Sequence, residues 1–133
     1  MNKYLLDTHI FLWSLLSPSN LSDKVAHELD REENELWISP VTPWETLILA
    51  EKGRIQLMIS AADWLNDVLS TLPFHEAKLN HEVAIQSRKI DLPHQDPADR
   101  FIAASAMVYG LTLITADQYL IDSASDYSVF PNT

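Results

Sequence analysis

The sequence predicts an α/β fold: a central, mostly parallel sheet of about five strands with helices on both faces. Three observations predict it. Short apolar runs alternate with longer stretches of helical periodicity along the chain, the pattern of successive βαβ units. Residues 97–109 are apolar nearly all round, as expected of a helix enclosed by other elements. Both glycines, Gly53 and Gly110, stand where a helical pattern stops, the usual place for a residue that accepts positive φ.

The elements follow in order. Residues 4–6 read as a first strand, with a helix beginning near His9, and residues 22–30 as a second helix. Residues 36–39 form the next strand run, followed by helices over 43–52 and 61–69. A weaker strand run at 72–74 contains Pro73, which cannot donate to a ladder, so it is placed at an edge or in irregular structure. Helices over 81–89 and 97–109 precede a strand over 112–115, a short helix containing Tyr119 and Leu120, and a last strand over 128–130. The 133 residues, 47% of hydrophobic type, suffice to enclose one core. No repeat, low-complexity tract or linker divides them, so 1–133 is expected to be one domain.

Composition excludes several chemistries. Cysteine is absent, which removes disulfides, thiolate metal sites and cysteine nucleophiles, and suits a reducing cytoplasm. The N-terminal residues lack the apolar core of a signal peptide and no apolar stretch is long enough to cross a bilayer, so a soluble cytoplasmic protein is expected. With both glycines at helix ends, none remains for a Walker loop or a dinucleotide fingerprint. The formal net charge of −10 runs against ordinary phosphate binding. Either the acidity is a general surface property facing a cationic partner, or part of it is gathered in a pocket that a divalent cation neutralises.

Four carboxylates favour the second explanation. Asp7, Glu45, Asp99 and Asp117 all fall where a strand run hands over to a helix or at a helix start. In an open parallel sheet the carboxyl ends of the strands converge on one crevice. Each acid also has a local reading. Thr42-Pro43-Trp44-Glu45 has the form of a capping box with Thr42 at N-cap and Glu45 at N3, and Asp96-Pro97-Ala98-Asp99 has the same form. Asp7 or Thr8, and Thr115 or Asp117, are placed to cap their own helices. Brought together, the acids raise one another's pKa values, and a hard cation such as Mg²⁺ or Mn²⁺, which favours carboxylate oxygens, removes the conflict.

These segments resemble the PIN-domain family, and within it the VapC-like toxin ribonucleases of toxin–antitoxin pairs. Leu5-Leu6-Asp7-Thr8-His9 resembles the family's opening strand and first acid, and Ser39-Pro40-Val41-Thr42-Pro43-Trp44-Glu45 the segment bearing its second. His94-Gln95-Asp96-Pro97-Ala98-Asp99-Arg100-Phe101-Ile102-Ala103-Ala104 is similar to its most diagnostic stretch, with the third acid at Asp99. Leu113-Ile114-Thr115-Ala116-Asp117 is similar to the strand ending in the fourth. The resemblance implies a compact PIN-like α/β domain and metal-dependent endonucleolytic cleavage of RNA. It also implies a homodimer and an antitoxin whose segment covers the cleft, sometimes with an arginine directed at the acids.

Asp7 and Asp99 are the leading metal ligands, with Glu45 binding or orienting water, and Asp117 completing the site. Asp96 is divided between ligand and N-cap. Thr8 and Thr115 are placed to support the carboxylates, although capping serves equally. Arg100, Lys52 and Arg54 are candidate RNA contacts; the competing reading pairs Arg100 with a neighbouring acid and sets Lys52 against a helix end. His9 is expected at the cleft rim or in the core, and His94 in a loop. Trp13, Trp37, Trp44 and Trp64 sit in apolar patterns and read as core, with base stacking open to an exposed one. Two other functions remain: a non-catalytic acidic module that docks a basic partner, and a metal-dependent phosphoesterase acting on DNA or a small phosphoester.

Overall fold

The computed structural model describes residues 1–93 and 95–133; the expectation for His94 lies outside the described residues. The elements run β1 (Lys3–Leu6), α1 (Thr8–Leu16), α2 (Asp23–Asp30), β2 (Glu35–Ile38), α3 (Val41–Glu51), α4 (Ala61–Thr71), β3 (His75–Glu76), α5 (His81–Lys89), α6 (Pro97–Tyr109), β4 (Thr112–Thr115), α7 (Gln118–Asp122) and β5 (Ser128–Pro131). The strands form one sheet in the order β3-β2-β1-β4-β5, with every pairing parallel.

The alternation of side chains along β1 divides the core. Leu5 packs on one face with Ile102, Ala103 and Leu113, while Tyr4 and Leu6 pack on the other with Ile10, Phe11 and Leu65. Helices therefore cover both faces, as the sequence predicts. In α6 the small residues Ala98, Ala103, Ala104, Ser105 and Ala106 are all buried, so this helix can approach its neighbours closely. Gly53 (φ +68°) and Gly110 (φ +64°) both adopt the left-handed conformation just past helix ends. Among the described residues no helix is long and apolar enough to cross a membrane.

Two sequence expectations are corrected. The weak strand expected at 72–74 forms instead at His75–Glu76, paired at the sheet edge with Trp37 and Ile38. Pro73 cannot enter a ladder, and Phe74 is apolar because its ring meets Phe11 edge-on at 5.6 Å. The helix expected from residue 43 begins at Val41, so Thr42 lies inside it and is no N-cap. Pro40 holds the N-cap position and has no side-chain cap, while Ser39 Oγ, one residue earlier, accepts from the Val41 amide at 3.1 Å. Pro43 then falls in the first turn, where its missing N–H costs nothing.

The strand order fixes where chemistry can gather. From central β1 the chain moves outward through β2 and β3, then returns to the other side for β4 and β5. The switch point therefore lies between β1 and β4. The Asp7 amide donates to the Ile114 carbonyl at 3.0 Å, extending the ladder by one residue and pinning Asp7 at that point.

Candidate metal centre at the sheet switch point

Helices that alternate with parallel strands start at the strands' carboxyl edge, which brings the N-termini of α1, α6 and α7 to the same side of the sheet. Each is capped by an aspartate: Asp7 accepts from the Thr8 amide at 2.9 Å, Asp96 from Ala98 at 3.0 Å and Asp117 from Tyr119 at 2.9 Å. Asp7, Glu45, Asp96, Asp99 and Asp117 all line one cleft of about 420 Å³, with Thr8, His9, Trp13 and Ala116. The structure thus brings every predicted acid together. Asp96 is shown as an N-cap and faces the same cleft.

A chain of hydroxyls holds the acids. Thr115 donates through Oγ1 to Asp7 Oδ2 at 2.6 Å and accepts from the Asp117 amide at 3.0 Å. Thr8 donates to Glu45 Oε1 at 2.5 Å, and its Oγ1 lies 3.0 Å from Thr42 Oγ1. A hydroxyl has one proton, so with Thr8 donating to Glu45 the proton between the threonines comes from Thr42. Glu45 is therefore held across the cleft by α1, and does not take the reciprocal capping place that the Thr42–Glu45 motif suggests. Thr42 is the supporting residue whose role sequence reasoning missed. Its only signal is local, and its partner is 34 positions away.

Electrostatics distinguish the acids. Burial raises the pKa of Asp7, opposed by the donors Thr115 and Thr8. Burial likewise raises Glu45, against the Thr8 hydrogen bond. Asp99 is pushed up to about 8, by burial first and then by the charges of Asp7, Asp96, Asp117 and Glu45. The same acids act on Tyr127, raised to about 12 by burial and then by Asp99 and Asp117, while its hydroxyl ties to the Leu120 carbonyl at 2.8 Å.

The Asp99 shift has a sign that can be checked. Below about pH 4 the folded and unfolded chains both hold the proton and nothing is lost. As pH rises from about 4 towards 8 only the unfolded chain releases it, so folding stability falls across that window. Solvent at the cleft mouth reduces the loss to about 2–4 kcal/mol. Urea denaturation in EDTA between pH 4 and 9 is expected to show this decline; a flat profile would contradict it.

The donor set fits a hard divalent cation: its carboxylates are all oxygen and negatively charged, and the described lining holds no lysine or arginine. No three of the described His, Asp or Glu side chains are grouped closely enough to hold an ion as they stand. The fit is thus one of charge and donor chemistry, with carboxylates lining a common space.

Residues 4–125 match the family model for the PIN domain. The chain belongs to the PIN-domain family. It is 31% identical over 123 residues to Ribonuclease VapC22 of Mycobacterium tuberculosis, covering 90% of this chain and 91% of that protein. Its fold is shared with VapBC2 from Rickettsia felis bound to a promoter DNA fragment, at TM-score 0.70, 15% identity, 97% coverage of this chain and 98% of that one. DNA-bound VapBC from Salmonella typhimurium gives TM-score 0.70 at 19% identity with 100% of both chains covered. A toxin–antitoxin complex from Klebsiella pneumoniae gives 0.68 at 21% identity with 98% of each covered.

Within this PIN domain the candidate RNA contacts and one tryptophan, Trp44, depart from expectation. Arg100 is 5% exposed and turned away from the cleft. Its Nε donates to the Ser87 carbonyl at 2.8 Å, Nη1 to Leu92 at 2.7 Å and Nη2 to Ile90 at 3.1 Å. Arg100 is thus a buried brace between α6 and the end of α5, unavailable to RNA. Lys52 and Arg54 are exposed beyond the far end of α3, at least about 10 Å along its axis from Glu45, and do not line the cleft. Trp44 is 56% exposed, so it is not core. Trp37 and Trp64 pack on the core clusters, and Trp13 does so while also lining the cleft. His9 is at the rim, as expected.

Proposed function

We propose that this PIN domain is a metal-dependent endoribonuclease, the toxin of a toxin–antitoxin pair, with Asp7, Asp99, Glu45 and Asp117 holding Mg²⁺ or Mn²⁺. The observation that carries the reading is the convergence of five carboxylates at the β1–β4 switch point, where burial first and the neighbouring acids second push Asp99 up to about 8. The similarity to a ribonuclease over most of the chain supports the same substrate class.

A divalent cation bound there would supply activation of the attacking water and offset the charge developing on the phosphate oxygens. The protein's part is placement. Asp7 is fixed by the strand ladder behind it and by the Thr8 amide and Thr115 hydroxyl beside it. Thr8 aims Glu45 into the cleft from α3, where it can bind or orient water. Thr115 links Asp7 to the Asp117 backbone, so the two acids keep a constant relation. Asp96 fixes the start of α6 and thereby the position of Asp99.

An acidic cleft of this kind suits closure by a basic antitoxin segment, in keeping with the toxin–antitoxin assemblies whose fold it shares. Homodimerisation and a cytoplasmic location belong to the same proposal. The test is cleavage of RNA, single-stranded DNA and a small phosphodiester side by side, in Mg²⁺ or Mn²⁺ and in EDTA. RNA alone should be cut, and only with metal. Cleavage undiminished by EDTA defeats the mechanism, and preference for DNA or the small ester defeats the substrate class.

A further inference from the structure

The cleft poses a problem for a polyanionic substrate. Its described lining contains five carboxylates and no lysine or arginine. Arg100 is committed to backbone carbonyls, and Lys52 and Arg54 lie off the site. Ordinary phosphate neutralisation by basic side chains is therefore missing along this wall, and affinity for a nucleic acid must come from elsewhere.

One side of the cleft offers another source. His9 and Trp13 are separated by four positions on α1, so they share a helix face, and both line the cleft. Their ring centroids are 5.7 Å apart with planes inclined at 52°. Between them in sequence, Ile10, Phe11 and Leu12 are buried, whereas His9 is exposed and Trp13 half-buried. Trp13 rests on the apolar cluster beneath α1, which fixes its ring while leaving it part of the cleft wall. The volume of about 420 Å³ is in the range of small-ligand pockets. Aromatic faces of this kind bind single-stranded nucleic acid through the bases, ordinarily beside a positively charged groove.

We propose that His9 and Trp13 form a nucleobase-stacking subsite that takes an unpaired base flanking the scissile phosphate. This rests on the ribonuclease reading of the same cleft. The subsite makes base stacking, with the metal's charge, the principal source of substrate affinity on this wall. It also requires the RNA to be unstacked at that position, since a base held in a duplex cannot reach the α1 face.

The test uses single-stranded RNA with 2-aminopurine placed in turn on either side of the mapped cut, bound to Asp99→Asn protein so that the strand survives. Quenching of 2-aminopurine is expected at one position and is expected to disappear when Trp13→Leu is added. In cleavage assays Trp13→Leu should raise KM roughly tenfold, with most of the loss in KM, and Trp13→Phe should recover most of it. His9→Ala, at an exposed position that cannot threaten folding, should raise KM several-fold, and His9→Phe should hold it near wild type. RNA cleavage with unchanged KM in Trp13→Leu and His9→Ala, and quenching insensitive to Trp13, would overturn the subsite alone. Failure of the wild-type protein to cut RNA would overturn the ribonuclease reading and the subsite with it.

Discussion

Asp99→Asn is expected to abolish RNA cleavage and at the same time stabilise the metal-free protein. Asp99 is crowded by burial and by four other acids, so the folded state pays for its ionised form. An amide of the same shape removes that cost and gives about 2–4 kcal/mol at pH 8, while removing a negatively charged donor from the proposed cation site. Asp7→Asn should be equally inactive with a smaller change in stability. Both Asp7 oxygens accept, one from the Thr8 amide and one from the Thr115 hydroxyl, and Thr115 Oγ1 already accepts from the Asp117 amide. An NH₂ group there can donate to the second lone pair of Thr115 Oγ1, but the Thr115 hydroxyl proton then loses its acceptor, so a lost hydrogen bond of about 1 kcal/mol offsets the relief of a buried charge. Residues that merely support a metal ligand are worth about 10- to 100-fold, so loss of a ligand should exceed about 100-fold. Cleavage rates with urea denaturation at pH 8 in EDTA check both halves. Full activity in either variant defeats the assignment of the site, whereas inactivity caused by unfolding would show in the denaturation curve.

The strands and helices were legible where their signal is local. β4, α5 and α6 occupy the predicted residues because periodicity, Pro97 and Gly110 mark them without reference to the rest of the chain. The 72–74 run was misread because Phe74 is apolar for the sake of Phe11, 63 positions away, and local pattern does not distinguish that from strand pairing. The convergence of the acids followed from one topological rule about the carboxyl ends of parallel strands. That Thr8 and Thr115 support carboxylates was legible too, but which acid each holds was not, because the Thr8–Glu45 and Thr115–Asp7 bonds join residues 37 and 108 positions apart. Arg100 shows the difference most sharply. Adjacency to Asp99 suggested the cleft, but successive residues on a helix point about 100° apart, so Asp99 faces the cleft while Arg100 faces α5.

That placement predicts a large effect at Arg100. Its guanidinium donates to three carbonyls around the end of α5, where helix geometry leaves carbonyls without partners. Arg100→Ala strands these acceptors in a buried region and empties the volume of a long side chain. At about 1–3 kcal/mol for each unsatisfied group, partly relieved by water entry, the loss should be about 3–5 kcal/mol. A domain of this size is typically stable by only about 5–15 kcal/mol, so the variant should unfold at markedly lower urea. Arg100→Lys should recover little, because one ammonium cannot reproduce a planar fork directed at three separate oxygens. If Arg100 instead contacted RNA, the results would reverse: unchanged stability, weaker RNA binding and a shallower salt dependence. Urea denaturation of both variants beside RNA binding at two salt concentrations separates the outcomes. Loss of stability shared by Ala and Lys is the signature of the brace, and the weakened cleavage that accompanies it should track the position of Asp99 on the loosened α6.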